Sequence, residues 1–290
     1  MLTLRSGWGR RAVVLALGVA GGLAVATRVG RRRFDDRIRT QAGELIAAAQ
    51  RPVPRFDPTA LAALPAPIQH HVERALPAGQ RPIERGRLRQ RGEFRLGSAW
   101  HPLTATQWFT TRPPGFVWDA TIDLAPLLPV RVLDAYQDGE GRLVARLRST
   151  LPLAAVGPSP GLNEGELVRY LAEAVWYPTA LLPGGGVTWE SIDDSSARAT
   201  LVDGEVSASV VFHVGPDDRI DRVTAQRYRQ ETDDVAPWVG TYDAYDSYEG
   251  IEIPTQAAVA WRGADGDQPY WRATVEPEAY VIADAGEDAA

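Results

Sequence analysis

From Ile83 onward the apolar positions recur at every second residue. Leu88, Gly92, Phe94 and Leu96 share one parity, and Arg87, Arg89, Arg91, Glu93 and Arg95 share the other. Phe116, Trp118, Ala120, Ile122 and Leu124 interleave with Val117, Asp119, Thr121 and Asp123. Val206, Ala208, Val210, Phe212 and Val214 alternate with Ser207, Ser209 and His213. A period of two with one apolar and one polar face is the pattern of antiparallel strands. Turn-forming residues separate the runs at Asp138-Gly139, Asp203-Gly204, Gly215 to Asp218 and Gly263 to Asp267. The pattern predicts a mainly β (α+β) domain of about ten to twelve strands between Ile83 and Ile282. Aromatic and small residues mixed on the inward face favour a curved sheet or half-barrel over a flat one.

Helical spacing shows in three places. Ile38, Ala42, Leu45, Ile46 and Ala49 give a stripe within Phe34–Gln50, and Leu61, Leu64, Ile68, Val72 and Ala75 give a second, predicting a helix over Pro65–Leu76. The third interrupts the strands. Asn163 is a candidate N-cap with Glu166 three residues on, and Leu167, Leu171, Ala174 and Val175 form the stripe before Tyr177-Pro178 ends it. This helix is expected to pack inside the curved sheet or across its mouth.

Ahead of these lies an uncharged run, Ala12 to Thr27, bounded by Arg11 and Arg28. A membrane span needs about 20 apolar residues, with about 17 as a lower limit. The run is short, but the arginines at 28 and 31–33 resemble a stop-transfer collar, while Ala24-Val25-Ala26 fits a signal-cleavage site. The expectation is a single-pass cell-membrane protein held by residues 12–27, with the side of the domain left open. The organisation that follows is an anchor or signal over 1–33, a juxtamembrane helix and linker over 34–56, a β-rich domain over 57–282 and a disordered acidic tail over 283–290.

Charge narrows the partners. The first 39 residues hold nine arginines against Asp35 and Asp36, whereas the remainder holds 22 arginines against 35 acids. A domain this acidic repels nucleic acid. All basic residues are arginine and there is no cysteine, so thiolate nucleophiles, disulfides and cysteine metal sites are excluded. His70 and His71 are neighbours, and on a helix they point about 100° apart, unlike an i, i+4 metal pair. Nothing in the chain calls for a metal or a cofactor. Nucleotide-loop and nucleophile-elbow motifs are missing. Asp193-Asp194 reads as a turn, though with Glu173 it is the material a carboxylate-dependent hydrolase would use. The arginine row at 85, 87, 89, 91 and 95 is either a lipid-headgroup contact or the wet side of an edge strand. The oligomeric state is left open.

The third helix is the densest functional candidate. Glu166, Arg169, Tyr170, Glu173, Trp176 and Tyr177 recur at three- and four-residue spacing, roughly opposite Leu167 and Leu171. They form either a polar, aromatic-tipped wall of a ligand cleft or a solvated face with an Arg169–Glu173 ion pair of little value. With the inward Phe116 and Trp118, the candidate ligand-binding set is Phe116, Trp118, Arg169, Tyr170, Glu173, Trp176 and Tyr177. No catalytic residue is assigned.

Several stretches resemble an uncharacterised bacterial family common in actinobacteria and known only as a domain of unknown function. They are Thr104 to Gln107, Pro113-Pro114-Gly115-Phe116-Val117-Trp118-Asp119, Arg169 to Pro178, Trp189-Glu190 and Pro269-Tyr270-Trp271-Arg272. The resemblance spans most of Leu64 to Tyr280 and brings no activity with it. Tyr242 to Pro254, with Tyr248-Glu249-Gly250 at its turn, is similar to a segment of LolA- and LppX-like lipoprotein-carrier half-barrels. That likeness implies a curved sheet over a hydrophobic cleft and a lipid or other amphipathic ligand. A membrane-tethered binding domain is therefore expected. A protein-interaction or sensor scaffold and a carboxylate-dependent hydrolase are the alternatives.

Overall fold

The computed structural model describes the backbone of residues 6–49, 58–184 and 186–283, and the side chains of 24–49, 61–184 and 186–283. Thirteen strands form one antiparallel sheet. The first six are β1 (Ile83–Leu96), β2 (Ala99–Thr110), β3 (Gly115–Asp123), β4 (Pro129–Gln137), β5 (Glu140–Leu147) and β6 (Leu151–Val156). After helix α3 (Pro160–Ala172) come β7 (Val187–Asp193), β8 (Ser196–Asp203), β9 (Val206–Val214), β10 (Ile220–Arg229), β11 (Asp234–Tyr248), β12 (Ile251–Gly263) and β13 (Gly266–Ile282). The spatial order is β6-β5-β4-β3-β2-β1-β13-β12-β11-β10-β9-β8-β7. Two meanders thus meet at a β1–β13 seam, where Gln90 faces Val275 and Phe94 faces Trp271.

The strands expected from the alternation are present, and the count exceeds the predicted ten to twelve. β6 and β7 are the two edges, and their residues are mostly exposed or half-exposed. An edge strand open to solvent on both faces loses the two-residue burial pattern that betrays a strand in sequence. The arginine row lies on β1, which is flanked by β2 and β13, so its reading as an edge is corrected. Arg87 pairs with Glu278 at 2.7 Å, and Arg89 reaches the same carboxylate.

The sheet curls. β5 and β9 stand nine steps apart in it, about 43 Å if it were flat at about 4.8 Å per step. α3 nevertheless touches both, although a helix is only about 10 Å across. The two arms therefore wrap α3, which lies on their inner face. Its cap differs from expectation. Ser159 is the N-cap, its hydroxyl accepting from the Leu162 amide at 3.2 Å, and Pro160 opens the first turn with its φ already helical. Asn163 instead accepts from the Gly141 amide at 2.8 Å, pinning α3 to β5. Helix α2 (Ala66–Ala75) runs within one residue of its predicted bounds and buries Ile68, Val72 and Ala75. At the β11–β12 turn, Glu249 (φ 53°) and Gly250 (φ 84°) both take the left-handed conformation that a two-residue hairpin requires.

Helix α1 (Ser6–Ala48) carries the stripe foreseen beyond residue 33. Phe34, Ile38, Ala42 and Leu45 are buried against Val117, Leu133, Ala135 and Val144, on the outer face of the first meander. That is why Val117 and Leu133, outward by parity, are fully buried. Arg131 ties this packing down, reaching Asp119 at 2.8 Å and Asp35 of α1 at 3.0 Å. The expectation of a single-pass membrane protein is corrected by the structure: among the described residues no helix is long and apolar enough to cross a membrane. From Arg28 to Arg39 the helix is crowded with arginines and aspartates, and its apolar stripe is used on the sheet. The side chains of residues 12–23 in the run Ala12–Thr27, residues 50–57 with the end of the predicted linker, and residues 284–290 of the predicted tail lie outside the described residues.

The seam depends on Gly92. A Cβ there would sit 1.9 Å from the Arg272 carbonyl oxygen and 2.6 Å from Ala273 Cα, both of the facing backbone. Gly92→Ala is expected to cost about 1–3 kcal/mol, because neither atom can step aside without opening the β1–β13 pairing. Gly43→Ala, with open space around it on α1, serves as the control and should gain up to about 1 kcal/mol from helix propensity. Urea unfolding of both variants tests this, and equal midpoints would remove the seam constraint.

Candidate functional site

The site follows from strand parity. On β3 the inward series is Phe116, Trp118, Ala120 and Ile122; on β4 it is Val130, Val132, Asp134 and Tyr136, all buried. Asp134 therefore occupies a slot whose neighbours two residues away are apolar. Gln90 on β1, Gln107 on β2 and Arg227 on β10 break their inward series in the same way. Glu166 and Arg169 of α3 and Glu173, the first residue after it, project toward these four at i, i+3 and i+7, on one side of the helix.

They form a closed network. Arg169 Nε donates to Glu173 at 2.8 Å, Nη1 to Asp134 at 2.7 Å and Nη2 to Gln107 at 3.2 Å. Its guanidinium carbon lies 4.4 Å from the Phe116 ring centre and 5.1 Å from that of Trp118. Gln107 donates onward to Glu173, and Trp118 Nε1 donates to Gln90 at 2.7 Å. Arg227 donates to the Gly165 carbonyl at 2.9 Å, to Tyr270 Oη at 3.1 Å and to Glu166 at 3.2 Å. Burial, and then the neighbouring Glu166, push the Asp134 carboxyl up to about 7 against the pull of Arg169 and Arg227. Burial opposes the charge on Arg169, but Glu173, Asp134 and Glu166 together hold it protonated.

Above this floor is a cavity of about 770 Å³. Trp118, Ile122 and Val132 line one wall, and Val259, Trp261 and Trp271 the other. Half-exposed and exposed residues of the β1–β2, β5–β6 and β10–β11 ends, among them Leu96, Leu153 and Arg229, form the mouth. The opposite end is plugged by the short 3₁₀ turns after α3, Glu173–Trp176 and Pro178–Leu181, and by α2.

Of the residues singled out from sequence, Trp118, Arg169, Glu173 and Trp176 line the cavity. Phe116 lies beneath Arg169 as its aromatic platform. Tyr170 and Tyr177 are in the plug: Tyr177 stacks on Phe109 at 4.3 Å and donates to the Tyr170 carbonyl at 2.7 Å. The α3 face is not solvated, and the Arg169–Glu173 pair is largely shielded, its side chains 14% and 13% exposed. Asp134, Arg227, Gln107 and Gln90 went unrecognised in the sequence, although each interrupts an apolar inward series. Among the described residues no group of three or more His, Asp or Glu side chains could hold a metal ion.

Residues 62–280 match the sequence family described as "Family of unknown function (DUF6920)". The chain belongs to this family. The DUF6920 match covers β1 to most of β13 together with α2 and α3, the elements that build the cavity. No curated protein matches the sequence. Among solved structures, the LolA superfamily protein NE2245 from Nitrosomonas europaea is similar at 14% identity and a TM-score of 0.39, covering 76% of this chain and 93% of its own. A DUF1329 family protein from Desulfovibrio piger is similar at 12% identity and a TM-score of 0.41, covering 77% and 95% respectively. Likenesses of this degree carry nothing about ligand or activity.

Proposed function

We propose that this DUF6920 chain binds a lipid or similar amphipathic ligand inside its curled sheet, without reacting with it. The observation that carries this reading is the cavity of about 770 Å³, within the range of about 300–1,000 Å³ typical of ligand sites. Its walls are aromatic and aliphatic, with a buried polar cluster at the inner end and charged residues such as Arg95 and Arg229 at the mouth. An ordinary core would close such a space, because interiors pack at crystal-like density. The mouth supports entry of an apolar chain: Leu96, Leu151 and Leu153 are exposed there, and the adjoining β3–β4 turn adds Leu127 and Leu128.

The scaffold reading expects a filled inner face, so a hollow one favours a ligand. The hydrolase reading loses its residues. Asp193 and Asp194 stand exposed at the β7–β8 turn, and both oxygens of Glu173 are taken by Arg169 and Gln107. Native mass spectrometry of the purified chain, followed by organic extraction, is expected to release a co-purified amphiphile. N-phenyl-1-naphthylamine is expected to bind and fluoresce, and Val259→Trp, which fills the wall, to abolish that signal without lowering the unfolding midpoint. No co-purified ligand together with no dye uptake would end the proposal.

A further inference from the structure

The polar floor is unevenly matched. Three carboxylates, Asp134, Glu166 and Glu173, face two guanidiniums, Arg169 and Arg227. Every donor nitrogen of those arginines already has an acceptor: Glu173, Asp134 and Gln107 for Arg169, and Gly165, Tyr270 and Glu166 for Arg227. On the acid side, Asp134 Oδ1 and Glu166 Oε2 are buried with no hydrogen-bond partner among the described residues. Asp134 is 7% exposed and Glu166 4%, and both line the cavity. Glu166 Oε2 keeps only a 3.9 Å ion-pair contact with Arg169 Nη1, and a buried carboxylate oxygen without a hydrogen bond carries a desolvation penalty that a donor would relieve.

A second, separate orphan lies on the wall. Trp271 is 7% exposed and its indole Nε1 has no partner among the described residues, though it too faces the cavity. It calls for an acceptor on whatever fills the space. The arginine nitrogens left without partners, Arg95 Nε and Arg229 Nε, belong to half-exposed residues at the mouth. The floor therefore offers unmet acceptors, and the arginine nitrogens without a hydrogen-bond partner lie at the entrance.

Resting on the amphiphile reading above, we infer that the inward end of the ligand is a protonated amine: an ammonium group on an apolar body, received by Asp134 and Glu166. An ammonium supplies three donors and the missing positive charge in a compact head. A carboxylate or phosphate head at the floor would meet carboxylates in surplus and two guanidiniums whose three nitrogens are each already engaged. A carbonyl partway along the body satisfies Trp271. The groups facing Asp134 from the packed elements are Glu166, Arg169 and Glu173 of the α3 region and Arg227 of β10. Burial and the neighbouring Glu166 push the Asp134 carboxyl up to about 7, so ammonium binding needs it ionised and displaces its proton. Affinity accordingly falls as pH drops below 7, by roughly tenfold between pH 8 and pH 6.

The probes are dodecylammonium, dodecanol and dodecanoate, each titrated calorimetrically below its micelle or solubility limit into the full chain at pH 8 and pH 6. The inference expects dodecylammonium to bind at least about tenfold more tightly than dodecanol at pH 8, dodecanoate to bind most weakly, and only the ammonium to lose affinity at pH 6. Asp134→Asn and Glu166→Gln should bring dodecylammonium down to the dodecanol level and leave dodecanol unchanged. Equal binding of all three, or tightest binding of dodecanoate, overturns the ammonium assignment and leaves the amphiphile cavity standing. Binding of none of them overturns both. The wild-type comparison decides even where a variant fails to fold.

Discussion

Arg169→Ala is expected to lower the unfolding free energy by about 3–5 kcal/mol, a large part of the roughly 5–15 kcal/mol that holds a domain together. The guanidinium is the common partner of Asp134, Glu173 and Gln107. Its removal strands buried carboxylates in a place where Asp134 is only 7% exposed. Breaking one member of a buried charge network costs far more than the network contributes to stability, since the survivors keep their desolvation penalty. Arg169→Lys should recover only part of the loss: one ammonium point cannot replace a planar fork that meets three partners and stacks over Phe116. Urea unfolding followed by tryptophan fluorescence measures both variants. A cost below about 1 kcal/mol for Arg169→Ala, the range of exposed pairs, would mean that the network is solvated.

The second large effect is acid destabilisation through His71. The ring is buried among α2, the β9–β10 turn and Tyr245, with Nδ1 3.2 Å from the Asp218 carbonyl and 3.3 Å from the Ile220 amide. Burial lowers its pKa from 6.5 to about 4. Between those values the unfolded chain binds a proton that the folded chain refuses, so stability falls as pH drops from about 6.5 to about 4. The loss approaches about 3 kcal/mol at 1.36 kcal/mol per unit. Asp134 acts in the opposite sense. Its raised pKa makes the folded state the better proton binder from about 4 to about 7, so it favours folding on acidification. The two slopes oppose one another in the wild type, and the variant separates them. His71→Gln should erase the acid loss and leave a domain that gains stability as pH falls. Parallel pH profiles for wild type and His71→Gln would sink the assignment.

What could be read beforehand divides along physical lines. Phe116, Trp118, Ala120 and Ile122 announced β3 because one face is apolar and the other polar; the helix at Pro65–Leu76 showed for the same reason, as did the one expected up to Tyr177, which ends at Ala172 and continues as a 3₁₀ turn. β4 was harder. Leu133 and Ala135 are buried by α1 on one face while Val130 and Val132 are buried on the other, so the strand shows no alternation. The floor escaped because its members lie far apart in the chain: Arg169 meets Gln107 across 62 residues, and Arg227 meets Glu166 across 61. The signal available was local. Asp134, Gln90 and Gln107 each occupy an inward slot that apolar neighbours define, and a polar residue in such a slot marks a buried partner. The membrane expectation rested on the uncharged run Ala12–Thr27 and its arginine flanks; that run is shorter than the about 20 apolar residues of a span, and among the described residues no helix is long and apolar enough to cross a membrane.

The order of the strands also sets how the molecule assembles. Of its twelve strand pairings, eleven join consecutive strands, and only β1 with β13 reaches across the whole domain. Each meander can zip up hairpin by hairpin at little entropic cost, whereas that one closure ties off a loop of almost the full domain, costing about 5 kcal/mol by the logarithmic rule. The hollow between the arms exists only once this late, long-range step is complete and α3 is enclosed. An amphiphile bound there has no counterpart in either separate meander, so its binding energy falls wholly on the finished state. Occupancy would therefore act as a latch on folding itself, slowing the reopening of the β1–β13 seam.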